Sequence, residues 1–223
     1  MLLEENLKGL CSKFGVDYVG FLSDMGVENP NELTVFDIKA IAEEYEVDLY
    51  SLMFKPLFPI YRLKSKLNKI KLLVLDVDGV MTDGGMYFTE NGDQIKKFNT
   101  KDGMAIMQLT KVNFQVAIIS SGFVSNAIQK RAEMLGIQHC VVTREKKIDV
   151  LKSIVDKLQL DLSQVAIIGD DINDLEVMQH VGIAACPKDA VLDVKAKCHI
   201  VLNTEGGKGC VREFIDNYLS TIK

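Results

Sequence analysis

The chain has no apolar run of roughly 18 residues, the length a membrane-spanning helix needs. No membrane partner is therefore expected. Its opening residues, Met1 to Asn6, are acidic and lack the charged and apolar regions of a secretion signal, so a cytoplasmic location is expected. Its five cysteines (11, 140, 186, 198 and 210) are odd in number and form no Cys-x-x-Cys pair, which excludes a disulfide framework and favours reduced thiols. The three histidines (139, 180 and 199) are scattered, and packing or surface roles suffice for them. Repeats and low-complexity tracts are also lacking. What remains is 223 residues, 48% of them hydrophobic, enough for one domain of ordinary size and a small second one.

The most informative stretch is Leu72-Leu73-Val74-Leu75-Asp76-Val77-Asp78-Gly79. Its apolar run is too short for a buried helix and fits a parallel strand covered on both faces, whose carboxyl end is where ligands of such sheets bind. Side chains at i and i+2 of an extended segment share a side, so Asp76 and Asp78 are neighbouring anions that need neutralising. A hard cation such as Mg2+ does this through oxygen ligands and leaves room for a phosphate oxygen. Asp76 then suits a nucleophile, and Asp78 an acid that later serves as base.

Two further apolar runs end in chemistry-bearing residues. Val165 to Ile168 leads into Gly169, Asp170, Asp171, Ile172, Asn173 and Asp174, so Asp170 and Asp174 can converge on a cation held by Asp76 and the Asp78 carbonyl. Val116 to Ile119 ends in Ser120, Ser121 and Gly122, where a hydroxyl and free backbone N–H groups suit a phosphate. Lys146 or Lys147, at the start of an amphipathic pattern through Leu158, supplies a cation.

These four elements, in type and order, resemble the haloacid dehalogenase superfamily. From Lys71 to about Leu219 the chain is similar to its small capless sugar-phosphate phosphatases, those of 3-deoxy-manno-octulosonate 8-phosphate and of nonulosonate 9-phosphates. The resemblance is carried by residues 76–84 (DVDGVMTDG), 97–103 (KFNTKDG), 131–136 (RAEMLG), 169–174 (GDDIND) and 206–213 (GGKGCVRE). It implies an α/β fold, a Rossmann-like parallel sheet flanked by helices with a β-hairpin insertion, preceded here by a small all-α domain. The expected division is 1–65 and 66–223.

The resemblance implies Mg2+-dependent hydrolysis of a phosphate monoester of a 2-keto-3-deoxy sugar acid through an aspartyl phosphate, in the synthesis of lipopolysaccharide or capsule. Asp76 would be the nucleophile, Asp78 the general acid and then base, Ser121 a phosphoryl ligand and Lys147 the balancing cation. Matching the strand instead of the glycine favours Ser120 over Ser121. Asp76, Asp78, Asp170 and Asp174 would form the metal site. Gly122, Phe123, Thr100, Asp102 and Arg212 would meet the sugar acid. The family pattern is broken at Phe123, where relatives commonly carry a charged residue, and at Met134, where those acting on nonulosonates carry Lys; either apolar residue could instead pack on a neighbour. Arg212 fits a substrate carboxylate or an ion pair with Asp216.

Met86, Tyr87 and Phe88, an Asn91-Gly92 turn, and then Ile95 and Phe98 read as a hairpin. Such a hairpin exposes apolar side chains unless another subunit covers them, and the resembling family implies a homotetramer whose neighbours shield the site.

Before Pro56, helices are expected over Glu4 to Phe14, Tyr18 to Met25, Thr34 to Tyr45 and Leu49 to Phe54, the third capped by Thr34 with Asp37. This segment resembles a phage-repressor helix-turn-helix, yet only residues 28–33 stand where a recognition helix should lie. Its 11 acidic and 6 basic residues through Ser65 carry the whole net charge of −5, which repels DNA. An interaction or oligomerisation module, with no nucleic-acid partner, is expected. Two other readings remain: a tetramer-forming binding or regulatory protein with little catalysis, and a transcriptional regulator with a phosphatase-like sensor.

Overall fold

The computed structural model describes residues 2–122 and 126–219. The chain forms two compact units, Met1–Ser65 and Lys66–Lys223.

The first unit holds α1 (Leu2–Phe14), α2 (Tyr18–Asp24), α3 (Val35–Glu44) and α4 (Leu49–Phe54). Each helix after the first starts on a side-chain cap: Asp17 accepts from the Gly20 N–H, Thr34 and Asp37 form a reciprocal capping box, and Asp48 accepts from the Ser51 N–H. Leu7, Leu10, Phe21, Ile38, Ile41 and Leu52 fill the core. Buried Asn6 ties α1 to the chain leaving α4, donating to the Leu52 and Lys55 carbonyls and accepting from the Leu57 N–H. Between α2 and α3 the backbone makes only one short 3-10 turn, Pro30–Glu32. The place of a recognition helix is filled by that turn. Helix α5 (Pro59–Leu67) follows and carries the chain into the second unit.

The second unit is built on β1 (Leu72–Leu75), followed by the hairpin strands β2 (Tyr87–Phe88) and β3 (Gln94–Ile95) and helix α6 (Thr100–Lys111). Then come β4 (Gln115–Ser120), α7 (Asn126–Leu135), β5 (His139–Val142), α8 (Lys147–Leu158), β6 (Val165–Ile168) and α9 (Leu175–Met178). The chain closes with β7 (Ile183–Cys186), α10 (Leu192–Lys197), β8 (Ile200–Val201) and α11 (Cys210–Phe214). Six strands form one parallel sheet in the order β5-β4-β1-β6-β7-β8. Leu72 and Val74 join α8 and α9 in one apolar cluster, while Leu73 and Leu75, facing the other way, are equally buried. Both faces are therefore covered, which explains the unbroken apolar runs.

This order fixes where a ligand binds. From β1 the chain builds outward through β4 to β5, then returns across β1 to place β6 on its other side. The topological switch lies between β1 and β6, and in open α/β sheets the crevice beyond that point is the binding site. Leu75 is in register with Ile118 on one side and Ile168 on the other; β1 and β6 end at that level, and β4 runs two residues further, to Ser120. Asp76 and Ser121 directly follow β1 and β4, and Asp170 follows β6 with one residue between.

Candidate active site

Asp76 is the first residue past β1, and its N–H still donates to the Ile168 carbonyl at 3.1 Å, which fixes its position against β6. The following turn is tight, with Gly79 at φ +83. A Cβ on Gly79 would lie 2.0 Å from Asp170 Oδ2, so the absence of a side chain lets the loops after β1 and β6 meet.

Where they meet, one carboxylate oxygen each from Asp76, Asp170 and Asp174 lie within 4.8 Å of one another. Lys147, the first residue of α8, enters from below: its Nζ is 3.0 Å from Asp76 Oδ1 and 2.7 Å from Asp174 Oδ1. The neighbouring Lys146 is exposed, so the cation is Lys147. Asp174 is fully buried and accepts a hydrogen bond from the Asp170 N–H through its other oxygen, which braces the loop after β6.

Charge is unbalanced here. With all groups ionised, three carboxylates against one ammonium leave two negative charges unmatched. Burial, with Asp174 beside it, pushes the Asp76 carboxyl up to about 7 against the pull of Lys147. Burial and the neighbouring Asp76 and Asp174 push Asp170 up to about 8. Lys147 loses some basicity to burial, but Asp76 and Asp174 outweigh this and hold it above its ordinary value. Among the described residues Asp170 Oδ1 is buried without a hydrogen-bond partner. An all-oxygen donor set with excess negative charge and an orphaned oxygen fits a hard divalent cation.

The cleft above the trio measures about 330 Å³ and is lined by Asp76, Asp78, Ser120, Ser121, Gly122 and Asp170 among others. Ser120 belongs to the sheet: its carbonyl accepts from the Thr143 N–H and its side chain is buried. Ser121 is the first residue beyond β4, exposed, with its Oγ accepting from Asn173 Nδ2 at 3.4 Å.

Other expected site residues lie elsewhere. The Asp78 carboxylate lines the cleft but is outside the acidic trio, being held by Lys96 Nζ at 2.6 and 2.8 Å. Asp102 is buried on α6, and its Oδ1 accepts from the Arg212 N–H at 2.7 Å at the start of α11. It joins two helices and does not line the cleft. Arg212 pairs with Asp216, and Thr100 is the exposed first residue of α6. Neither lines the cleft. Phe123 lies outside the described residues. Lys96 was not anticipated; nothing in a Lys-Lys pair distinguishes the member that turns inward.

Residues 142–215 match the model of the haloacid dehalogenase-like hydrolases. The 3-deoxy-D-manno-octulosonate 8-phosphate phosphatase of Salmonella typhi is 36% identical over 152 residues, 68% of this chain and 80% of that protein. The chain therefore belongs to the haloacid dehalogenase-like hydrolases. Among solved structures, the Yersinia pestis 3-deoxy-D-manno-octulosonate 8-phosphate phosphatase superposes with a TM-score of 0.68 at 37% identity, covering 71% of this chain and 85% of that one. The Moraxella catarrhalis 3-deoxy-D-manno-octulosonate 8-phosphate phosphatase, solved with magnesium, phosphate and KDO, superposes at 0.66 with 28% identity, covering 73% and 98%. Within the family, this chain groups with phosphatases.

Proposed function

We propose that the chain hydrolyses the phosphate monoester of a 2-keto-3-deoxy sugar acid, of the octulosonate 8-phosphate or nonulosonate 9-phosphate type, with Mg2+ as cofactor. The observation that carries this reading is the convergence of Asp76, Asp170 and Asp174 within 4.8 Å, with Lys147 on two of them. Asp76 and Asp170, with the Asp78 carbonyl, would hold the cation, and Asp174 would anchor them. Bound Mg2+ offsets charge on the phosphoryl oxygens and keeps Asp76 ionised.

In the first step an Asp76 carboxylate oxygen attacks phosphorus. The bond from phosphorus to the sugar oxygen breaks, and that oxygen takes the Asp78 proton. In the second step Asp78 removes a proton from water, whose oxygen attacks the aspartyl phosphate and releases inorganic phosphate and free Asp76. Lys147 steadies Asp76 in both steps. Ser121 and the backbone N–H groups around Gly122 would hold the transferred phosphoryl group. Phosphoryl transfer needs positioning and charge stabilisation above all, and this site supplies both.

The hairpin supports assembly. Met86, Tyr87, Phe88 and Ile95 are all exposed on it, an apolar surface that a second copy would cover. We assign it to a homotetramer, in which Thr100 and Arg212 could reach a neighbour's site. The acidic helical unit is assigned to interaction, not DNA reading. No helix among the described residues is long and apolar enough to cross a membrane, and the proposed reaction belongs in the cytoplasm.

A screen of phosphate release from 2-keto-3-deoxy sugar phosphates, hexose phosphates and nucleotides, with Mg2+, tests the reading. Turnover concentrated on the first group supports it. Equal rates across all groups overturn the assignment of substrate, and no release from any overturns the enzymatic reading itself.

A further inference from the structure

Lys96 follows β3 directly, at the base of a hairpin whose apolar side chains Met86, Tyr87, Phe88 and Ile95 are exposed. Its own side chain is only 5% exposed, whereas that of the adjacent Lys97 is 62% exposed and pairs with Asp83. Burying an ammonium is costly unless an anion meets it. Here the anion is Asp78, with Nζ 2.6 Å from Oδ1 and 2.8 Å from Oδ2. Thr82 Oγ1 lies 3.2 Å from the same Oδ1 and 3.2 Å from the Val77 carbonyl, and its single proton serves one of the two. A carboxylate with both oxygens on one cation has lost its freedom to rotate, and when Asp78 carries the proton, Lys96 still donates to Oδ1 while Oδ2 presents the proton to the leaving oxygen. Asp78 is otherwise 43% exposed in an open cleft, where nothing else so close would fix it.

We propose that Lys96 is a positioning residue, by which the hairpin holds the Asp78 carboxyl group at the place where the leaving oxygen arrives. This rests on the reading of Asp78 as general acid and base given above. The position of the acid then depends on a chain segment outside the sheet, since Lys96 belongs to the hairpin and Asp78 to the loop after β1. Two more contacts brace the hairpin's exit: Lys97 to Asp83, and Asn99 Nδ2 to the Gly207 carbonyl at 3.1 Å. Lys96 alone among these reaches a group that moves a proton.

A leaving-group comparison tests the proposal. A sugar alkoxide needs a proton to depart, whereas p-nitrophenolate departs almost without one, so loss of a well-placed acid is felt mainly on the sugar ester. Steady-state rates with Mg2+ would be measured for wild type, Lys96→Met and Lys96→Arg on 3-deoxy-octulosonate 8-phosphate and on p-nitrophenyl phosphate. Lys96→Met should lower kcat on the sugar ester by about 10- to 100-fold, with KM changed less than about threefold, and lower kcat on the aryl ester less than about threefold. Lys96→Arg should recover most of the loss. In an Asp78→Asn background, Lys96→Met should add less than about a further twofold. Thermal melts identify a variant that fails to fold, in which case Lys96→Gln is measured in its place. Equal losses on both esters, a change confined to KM, or an undiminished effect without Asp78 would overturn the proposal. A wild type inactive on every ester strikes at the phosphatase reading instead, and is told apart because the variants then have no reference rate.

Discussion

Gly206 lies against the carbonyl of Gly79, so close that a Cβ on it would sit 1.9 Å from that oxygen. The tail motif is thus a wall of the loop that carries Asp76 and Asp78, secured by the Gly207 N–H donating to the Val80 carbonyl and by Cys210 Sγ donating to the same oxygen. A methyl group here must displace backbone, not a pliable side chain. Gly206→Ala should lower stability by about 1–3 kcal/mol in urea denaturation and reduce kcat on the sugar ester. Unchanged stability and rate would show that the two segments are not in contact.

The unmatched charge of the acidic trio gives a second expectation. A cation that binds the folded chain stabilises it by mass action, by about 2.7 kcal/mol at a hundredfold excess over Kd. Melting temperature should therefore climb by roughly 5–10 °C as Mg2+ is titrated into metal-free protein. Asp170→Asn should abolish most of the increase, because it replaces a carboxylate whose Oδ1 has no protein partner by a neutral amide. A variant that responds to Mg2+ as wild type does would move the metal elsewhere.

Asp102 gives a pH-dependent expectation away from the cleft. Burial lifts its carboxyl to about 6 from an ordinary 3.8, against the pull of the Arg212, Val211 and Gly209 N–H groups. The folded state thus binds the proton more tightly than the unfolded chain, so the charged form costs stability above about pH 6. That cost is relieved as pH falls from about 6 towards 3.8. Asp102→Asn carries no charge at any pH. Its stability relative to wild type should be more favourable at pH 8 than at pH 5, by about 1 kcal/mol, in paired denaturation curves. A difference independent of pH would contradict the burial argument.

The exposed hairpin gives the fourth. Phe88→Asp places a charge among the exposed apolar side chains of the hairpin, on the face opposite the Tyr87–Ile95 pair. Light scattering should show a tetramer for wild type and smaller species for the variant. A wild-type monomer would remove the proposed assembly.

Much of this fold is legible in the sequence. The buried run before Asp76 could only be a covered strand, and three such runs ending in acids or hydroxyls implied one sheet edge. The four front helices were marked by periodicity and by the Thr34–Asp37 cap, which forms as read. Less legible was everything decided by tertiary contact. A buried Asp102 and a substrate-facing one look the same in a motif, because the helix start that it satisfies is 110 residues away. Lys96 and Lys97 differ only in which way the hairpin exit turns them. Arg212 had two readings, and within the chain the pair with Asp216 is the one formed. Ser120 and Ser121 differ only in that β4 ends between them, which the sequence does not mark.

The most direct test of the central claim is rapid acid quench of enzyme mixed with Mg2+ and sugar ester, followed by mass mapping of the phosphorylated peptide. Wild type should carry a transient phosphoryl group on Asp76, and Asp76→Asn should carry none and turn over no ester while melting as a folded protein. A phosphoryl group found on another residue, or substantial turnover by Asp76→Asn, would contradict the assignment of Asp76 as the group that attacks phosphorus.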